Sequence, residues 1–392
     1  MTSGIYIIPT AIYFEKALNT THAVYVIDDR THLVPRGSVP NEARLIKING
    51  IVAPGFLDLQ VNGGGGILFN HDPTSHAIDH IRDAHARYGT IGILPTVITD
   101  APDIIDRAVD AVIAHGQTNH ILGLHIEGPH ISQKRRGTHS SELIRPFDER
   151  AFAALCRLRD ANITTKLTLA PEVVDPETVH RIAELGVIVS IGHTVASTTQ
   201  TCAAIDAGAS CATHLMNAMP PLINRDPGPV VAIMNAGLAC GIICDGIHVQ
   251  DEMIKLALRA HAHPERIFLV SDSMPTIGGP GQFDLYDMTV RLTDGRLINS
   301  EGSLAGAHIT QAEGVARLVK AIGLNVVDAL HMAIDAPANL MGRSDLTNVD
   351  GRGLSDLVVL SNCAQQTRVL SAILEKEWAG EPAQYINYVT SN

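Results

Sequence analysis

The chain has 392 residues, 45% hydrophobic and 18% charged, which is typical of a globular protein with a large core and excludes a disordered or fibrous chain. Its formal net charge of −12 argues against a general nucleic-acid binder. No apolar run approaches the roughly 20 residues of a membrane span, and the N-terminus has no signal-peptide pattern, so we expect a cytoplasmic protein with no membrane partner.

The two ends of the chain share a strand-like pattern. Residues 1–51 contain short alternating runs, among them "AVYVIDD" and "ARLIKINGIV", separated by polar turns. The tail after "MGR" contains "GLSDLVVLSN" and "TRVLSAIL", which also favour strands. We therefore predict that residues 1–51 and 343–392 combine into one small β-sandwich domain.

Between these ends, apolar runs alternate with helix-like segments. Two such segments are Asp175–Leu185 and Ser197–Gly208, the second with Ser197 as N-cap and Gly208 as a C-terminal stop. Strands this apolar indicate a parallel sheet covered on both faces. The sequence predicts a (β/α)8 TIM-like barrel over residues 52–342, with a doubly wound sheet as the alternative on periodicity alone. The runs are "VAPGFLDLQVNG", "GTIGILPTVIT", "HILGLHIEGPH", "TTKLTLAPEV", "GVIVSIGHT", "CATHLMNA", "ACGIICDGIHV" and "RIFLVSDS".

The first of these runs ends in four glycines, Gly63 to Gly66. The Lys-Ser/Thr of a P-loop does not follow them, and the GxGxxG spacing of a dinucleotide site is missing. We interpret them as a tight turn after the first barrel strand and not as a nucleotide site. The same strand carries Gln60 and Asn62 where many metal hydrolases carry a His-x-His pair.

Four polar residues each follow an apolar run: Glu127, His193, His214 and Asp272. In a barrel, the carboxyl ends of the strands meet at the face that carries the active site. A carboxylate and two imidazoles there form a suitable ligand set for zinc or a similar ion with an open position for water, and Asp272 could serve as general base. His125 has the same strand parity as Glu127, so spacing alone leaves it open as a ligand.

Several motifs, in this order, resemble the N-acetylglucosamine-6-phosphate deacetylases of the amidohydrolase superfamily. They are "GLHIEGPHIS…KRRGTH", "IGHT", "THLMNAMPPLINRDPG", "DGIHV", "LVSDS" and "GSLAGA". The resemblance covers roughly residues 51–342, with a weaker match at both ends. It implies hydrolysis of N-acetyl-D-glucosamine 6-phosphate to D-glucosamine 6-phosphate and acetate, in amino-sugar catabolism or cell-wall recycling.

Carried over residue by residue, the resemblance implies one divalent metal ion, most simply Zn²⁺, held by Glu127, His193 and His214. It implies Asp272 as the catalytic acid and base, and His139 as the group that polarises the acetamide carbonyl. It also implies contacts to the sugar phosphate from a larger set of residues. These are Thr138, His139, Asn217, Ala218, Arg225, His248, Leu304, Ala305 and Gly306.

Gln60 and Asn62 also find a place in this resemblance. Some members of the family carry Gln-x-Asn in the first strand and look mononuclear. Neutral amides are weak ligands for zinc compared with imidazole or carboxylate. We therefore expect a vacated second metal site, with Gln60 and Asn62 left to contact water or substrate.

Three other interpretations remain at this stage. The same chemistry on N-acetyl-D-galactosamine 6-phosphate differs at one hydroxyl, which the sequence does not settle. Hydrolysis of a cyclic amide or amidine is disfavoured by Arg225, since such substrates usually lack a phosphate. A non-catalytic scaffold predicts loss of the four candidate residues, and all four are present. The resemblance also implies a homodimer.

Overall fold

The computed structural model describes residues 4–362 and 364–378. The chain divides into two compact units. One, the terminal unit, comprises residues up to Leu57, residues 86–91 and residues from Gln311 onwards, and the other, the barrel unit, comprises residues 58–85 and 92–310. The domain boundaries predicted from the sequence, after residues 51 and 342, remain a prediction. Among the described residues, no helix is long and apolar enough to cross a membrane.

The N-terminal segment forms five strands whose buried positions are mostly aliphatic. They are β1 (Ile5–Phe14), β2 (Ala17–Asn19), β3 (His22–Ile27), β4 (Arg30–Pro35) and β5 (Arg44–Pro54). Strand β1 pairs antiparallel with β3 and parallel with β5.

The central part of the chain alternates strands and helices, as the sequence predicts. Its strands are β6 (Phe56–Val61), β7 (Gly63–Gly64), β8 (Ile67–Leu68), β9 (Thr90–Ile98), β10 (Leu124–Glu127), β11 (Thr165–Leu169), β12 (Ile188–Ile191), β13 (Cys211–Ala212), β14 (Ala239–Ile242) and β15 (Ile267–Leu269). Its helices are α1 (Ser75–Ala86), α2 (Pro102–His115), α3 (Glu149–Asp160), α4 (Pro176–Glu184), α5 (Thr198–Asp206), α6 (Gly228–Ala236) and α7 (Asp251–Ala260).

Eight of these strands form one parallel sheet in the order β15-β14-β13-β12-β11-β10-β9-β6. A parallel bridge between Val61 and Ser273 brings the two ends of the sheet together. The predicted TIM-like barrel is therefore confirmed, and each of the eight apolar runs supplies one of its strands. Their residues are buried almost throughout, because helices cover the outer face and side chains fill the interior.

Local chemistry explains the helix starts that the sequence predicts. Asp175 caps α4 by accepting a hydrogen bond from the backbone N–H of Thr178. Ser197 and Gln200 form a capping box at the start of α5. The glycine run forms the β7–β8 hairpin, in which Gly65 has a φ of +62° that favours glycine.

A four-stranded antiparallel sheet follows the last barrel strand, and the sequence analysis did not predict it. Its strands are β16 (Gln282–Leu285), β17 (Met288–Thr293), β18 (Arg296–Ile298) and β19 (Leu304–Ala307). The Asp294-Gly295 pair between β17 and β18 is a hairpin signal that could have revealed it. Its apolar face packs around Leu285, Val290 and Leu297.

The C-terminal segment begins with helices and returns to the first sheet. Its elements are α8 (Gln311–Arg317), a π-helical turn (Leu318–Ile322), α9 (Val326–Ala333), α10 (Asp335–Leu340), β20 (Leu357–Leu360), β21 (Thr367–Val369) and α11 (Leu370–Trp378). Strand β20 pairs antiparallel with β5, so strands from both termini form one seven-stranded sheet. The small β domain built from both ends of the chain is thereby confirmed. Its core includes Ile7, Ile48 and Val359.

Candidate active site

The four residues that the sequence singled out lie together at the carboxyl ends of the barrel strands. Glu127 ends β10, while His193, His214 and Asp272 follow β12, β13 and β15. All four are at most 7% exposed. His193, His214 and Asp272 have φ values of +47°, +29° and +51°, a region that non-glycine residues rarely adopt. Such backbone strain persists where the surrounding structure enforces it, and it concentrates at functional sites.

Three potential ligand atoms form a small triangle at this face. Glu127 Oε1 lies 3.2 Å from His193 Nε2 and 3.0 Å from His214 Nε2, and the two imidazole nitrogens lie 3.0 Å apart. Bonds of about 2.0–2.1 Å to a tetrahedral zinc ion place ligand atoms about 3.3 Å apart. The triangle therefore has the size and the chemistry of a one-ion site.

The hydrogen bond of the His193 ring supports the same interpretation. His193 Nδ1 lies 2.8 Å from the carbonyl oxygen of Arg135 and so carries the proton that it donates. Its Nε2 is then the unprotonated nitrogen that a metal requires. Although burial opposes it, contact with both imidazoles holds the pKa of Glu127 well below its usual range, so this carboxylate is ionised.

His125, which spacing had left open as a ligand, lies outside this triangle. Its Nδ1 is 3.2 Å from Thr96 Oγ1, and its Nε2 is 2.7 Å from Thr168 Oγ1. Both ring nitrogens are therefore engaged by hydroxyl groups in the barrel interior. Burial lowers the pKa of His125 well below its usual value, so the ring is neutral.

His139 lies next to the triangle. Its ring centroid is 4.5 Å from that of His193, and it has a ring nitrogen within 4.8 Å of the ligand atoms of Glu127 and His193. The contacts of His214 with those atoms are far shorter, and His139 Nδ1 is 2.7 Å from Thr99 Oγ1. We therefore assign His214 to the triangle and leave His139 beside it. Burial lowers the pKa of His139 to about 3, so its ring is neutral.

Gln60 and Asn62 turn their amide N–H groups toward the two carboxylates. Gln60 Nε2 donates to both oxygens of Glu127 at 3.1 Å and to Asp272 Oδ1 at 3.1 Å. Asn62 Nδ2 donates to Asp272 Oδ1 at 2.7 Å. The contacts to water or substrate that we expect from the sequence remain a prediction, and the donors of both amides bind carboxylates. Their carbonyl oxygens are buried without a hydrogen-bond partner among the described residues.

The surroundings of Asp272 shift its pKa in opposite directions. Burial and the nearby charge of Glu127 raise its pKa above the usual value, while the hydrogen bond from Asn62 lowers it. Both amide donors bind Oδ1, so Oδ2 accepts from neither of them.

A cavity of about 300 Å³ opens onto this group. The predicted residues that line it, besides the triangle and Asp272, are Thr138, His139, Asn217, Ala218, His248, Leu304 and Gly306. Four predicted residues do not line it. Gln60 and Asn62 are buried beside the two carboxylates, Ala305 is buried within β19, and Arg225 lies on an exposed loop.

Six lining residues were missed by the sequence analysis: Lys134, Arg135, Ile98, Gly137, Met274 and Ser303. The basic run "KRR" in an otherwise acidic chain was an available signal for the first two. They make the cavity wall locally positive.

His248 also lines this wall and is paired with a carboxylate. Its Nδ1 lies 2.6 Å from Asp245 Oδ2, and the two side chains are only 4% and 6% exposed. Burial lowers the pKa of His248, but the hydrogen bond and charge of Asp245 outweigh it and raise the pKa above its usual value. Asp245 also accepts the backbone N–H groups of Ile247 and His248, which fixes the turn.

Comparisons with known proteins place this geometry in context. The chain matches no protein-family model. It is 38% identical over 318 residues to the N-acetylgalactosamine-6-phosphate deacetylase of Shewanella sp. (strain ANA-3), covering 80% of each chain. It is 32% identical over 329 residues to the human N-acetylglucosamine-6-phosphate deacetylase, again covering 80% of each. The crystal structure of the N-acetylglucosamine-6-phosphate deacetylase from Pasteurella multocida superposes with a TM-score of 0.84 at 31% identity, covering 92% of this chain and 96% of that one.

Proposed function

Because this chain belongs to the N-acetylglucosamine-6-phosphate deacetylase family of the amidohydrolase superfamily, we propose that it hydrolyses N-acetyl-D-glucosamine 6-phosphate to D-glucosamine 6-phosphate and acetate. The observation that carries this proposal is the Glu127, His193 and His214 triangle beside Asp272 at the floor of a positive cavity. An amide bond is a poor electrophile, and this arrangement supplies both an activating ion site and a proton carrier.

We propose that Glu127, His193 and His214 hold one divalent ion, with zinc as the favoured identity. Two imidazoles and one carboxylate are a ligand set of catalytic zinc sites. When bound, such an ion lowers the pKa of water and polarises a carbonyl as a Lewis acid.

Asp272 acts as general base and then as general acid. Its Oδ2 accepts a proton from the attacking water and later gives it to the amide nitrogen of the departing amino sugar. That second transfer is essential, because an amide anion is a very poor leaving group. Gln60 and Asn62 hold Oδ1, so the carboxylate keeps one orientation through both transfers.

His139 stabilises the oxygen of the acetyl group as negative charge develops on it. A neutral imidazole with an N–H directed into the cavity donates a hydrogen bond to that oxygen. Loss of one such donor typically lowers kcat by about 10²–10³-fold.

The positive wall of the cavity suits the phosphate of the substrate. Lys134, Arg135 and a protonated His248 line it. Asn217 and Thr138 offer hydrogen-bonding groups for the sugar, and Leu304 and Gly306 of β19 also line the cavity.

Arg225 supports the proposal of a homodimer. Its loop is exposed and also presents Leu222 at 37% and Ile223 at 50% exposure. We propose that a second copy packs on these apolar side chains and that Arg225 contacts a phosphate across the interface. Sedimentation equilibrium tests this, with a mass of twice 41.9 kDa expected. We propose a cytoplasmic location, where sugar phosphates are retained.

The galactosamine epimer is a second candidate substrate. The N-acetylgalactosamine-6-phosphate deacetylase of Shewanella is 38% identical to this chain, whereas the human N-acetylglucosamine-6-phosphate deacetylase is 32% identical. The two sugars differ at one hydroxyl group, and the chemistry at the acetamide is the same.

Acetate release from each sugar phosphate tests the proposal. The purified, metal-loaded protein is assayed in parallel with N-acetylglucosamine 6-phosphate, N-acetylgalactosamine 6-phosphate and N-acetylglucosamine lacking the phosphate. The highest kcat/KM with the first supports the principal proposal, and the highest with the second supports the epimer. Equal rates with and without phosphate would contradict the role of the positive wall.

A further inference from the structure

We propose that Thr99 is a positioning residue that holds His139 in the tautomer with its proton on Nε2. This inference rests on the proposed role of His139 as hydrogen-bond donor to the acetyl oxygen. Thr99 follows β9, at the same end of the barrel as Glu127, and it is 0% exposed. It was not among the residues that the sequence analysis selected.

The hydrogen-bond geometry around the Thr99 hydroxyl carries the inference. Oγ1 lies 2.7 Å from His139 Nδ1 and 3.4 Å from the carbonyl oxygen of Glu127. A hydroxyl group has a single proton to donate. The proposed donation from His139 Nε2 into the cavity places the ring proton on Nε2 and leaves Nδ1 as an acceptor. The Thr99 hydroxyl then donates to Nδ1 at 2.7 Å and not to the carbonyl of Glu127, since 3.4 Å is at the outer limit of hydrogen bonding.

The surrounding structure fixes Thr99 in this position. Tyr286 donates its hydroxyl proton to the carbonyl oxygen of Thr99. Gly128 has a φ of +79°, and a Cβ atom there would lie 2.3 Å from Thr99 Oγ1, so only glycine lets the hydroxyl come this close. Arg136 donates to the backbone carbonyl oxygen of His139 at 3.0 Å, which holds the backbone of His139 in place.

The tautomer matters because a neutral imidazole has one donor and one acceptor nitrogen. Nδ1 is occupied by Thr99, so Nε2 is the nitrogen left for the cavity that His139 lines. With its proton on Nε2, the ring donates to a developing oxyanion. With its proton on Nδ1, it would present a lone pair to that oxyanion and repel it.

Three variants separate positioning from packing. Thr99→Val keeps the shape of the side chain but removes the hydroxyl, and Thr99→Ser keeps the hydroxyl. The matched control is Thr90→Val at the start of β9, because Thr90 is also 0% exposed and its Oγ1 has no hydrogen-bond partner in the part of the chain that the structure describes. Each zinc-loaded protein is assayed for kcat and KM, and its histidine tautomers are measured by ¹⁵N NMR with His139 assigned by substitution.

We expect the wild-type spectrum to show His139 protonated on Nε2. We expect kcat of Thr99→Val to fall about 10–100-fold with little change in KM, because some of the enzyme molecules would carry the His139 proton on Nδ1 and lose one oxyanion donor. Thr99→Ser and Thr90→Val should remain within about threefold of the wild type. A wild-type His139 protonated on Nδ1, or an unchanged kcat in Thr99→Val, overturns the inference.

These readouts also separate this inference from the proposed function. The tautomer is measured without substrate, so the NMR result tests the assignment even if none of the sugars releases acetate. Absence of acetate release with an Nε2 proton would contradict the proposed function and leave the tautomer assignment intact.

Discussion

Asn62→Leu tests how the amide donors control Asp272. The substitution keeps the approximate volume of a fully buried side chain but removes the 2.7 Å hydrogen bond to Asp272 Oδ1. A hydrogen bond to a charged group contributes about 1.5–3 kcal/mol. It favours the ionised carboxylate, so its loss raises the pKa of Asp272, on which burial and Glu127 already act in the same direction.

The expected result is a shift in the pH profile. Asp272 must be ionised to accept a proton, so activity is lost as pH falls through its pKa. Since one pKa unit corresponds to about 1.36 kcal/mol, the acid limb of kcat/KM should move to higher pH by about one to two units. The assay is acetate release across pH, with metal content measured at each end of the range.

A matched control is Asn70→Leu. Asn70 is 2% exposed and also donates to a carboxylate, that of Asp100 at 2.8 Å, but it does not line the cavity. This variant should lose stability without moving the acid limb. An unchanged acid limb in Asn62→Leu, or the same shift in both variants, would refute the reasoning.

Three further predictions concern contacts outside the triangle of Glu127, His193 and His214. Asp245→Asn should raise KM about tenfold at pH 7, because His248 loses the carboxylate that raises its pKa, and the rise in KM with pH should begin at lower pH than in the wild type. Glu172→Ala removes both acceptors that hold the loop after His193, so chelator competition should show a metal affinity about 10–100-fold weaker. Tyr13→Phe removes the hydroxyl group that donates to the buried carboxylate of Asp335 in α10 at 2.5 Å. Chemical denaturation should therefore show a free energy of unfolding about 1–3 kcal/mol lower than in the wild type.

The barrel could be predicted from the sequence because its signal is repeated. Each strand is buried on both faces, so each appears as a continuous apolar run, and all eight runs became barrel strands. The four-stranded insertion lacks this repetition. Its strands alternate between exposed and buried positions, as in "QFDL" at Gln282–Leu285, and it interrupts the pattern only once.

The position of the reactive residues could also be predicted, since parallel strands end at one face. The ends of the strands alone were enough to group four residues, without knowledge of side-chain orientation: Glu127, His193, His214 and Asp272. The strained backbone of the last three is visible only in the structure.

Side-chain orientation accounts for what the sequence left unsettled. An amide can donate or accept, and only the positions of Glu127 and Asp272 show that Gln60 and Asn62 donate to them. Thr99 ends an apolar run as the other site residues do, but a threonine there has no distinctive chemistry until His139 is found 2.7 Å away.

Arg225 shows the opposite case. Its motif predicts a phosphate contact, yet its loop carries it away from the cavity within a single chain. A resemblance in sequence identifies the residue type at this position but does not show whether the side chain reaches the cavity.

The most direct measurement compares the wild type with Asp272→Asn for acetate release and metal content in the same preparations. Asparagine keeps the size of the side chain but cannot carry the proton between water and the leaving nitrogen. We predict about one equivalent of divalent metal in both proteins. The wild type should release acetate rapidly from N-acetylglucosamine 6-phosphate or its galactosamine epimer, and the variant should release it at least about 10³-fold more slowly. Wild-type turnover by Asp272→Asn with its metal retained would contradict the central claim.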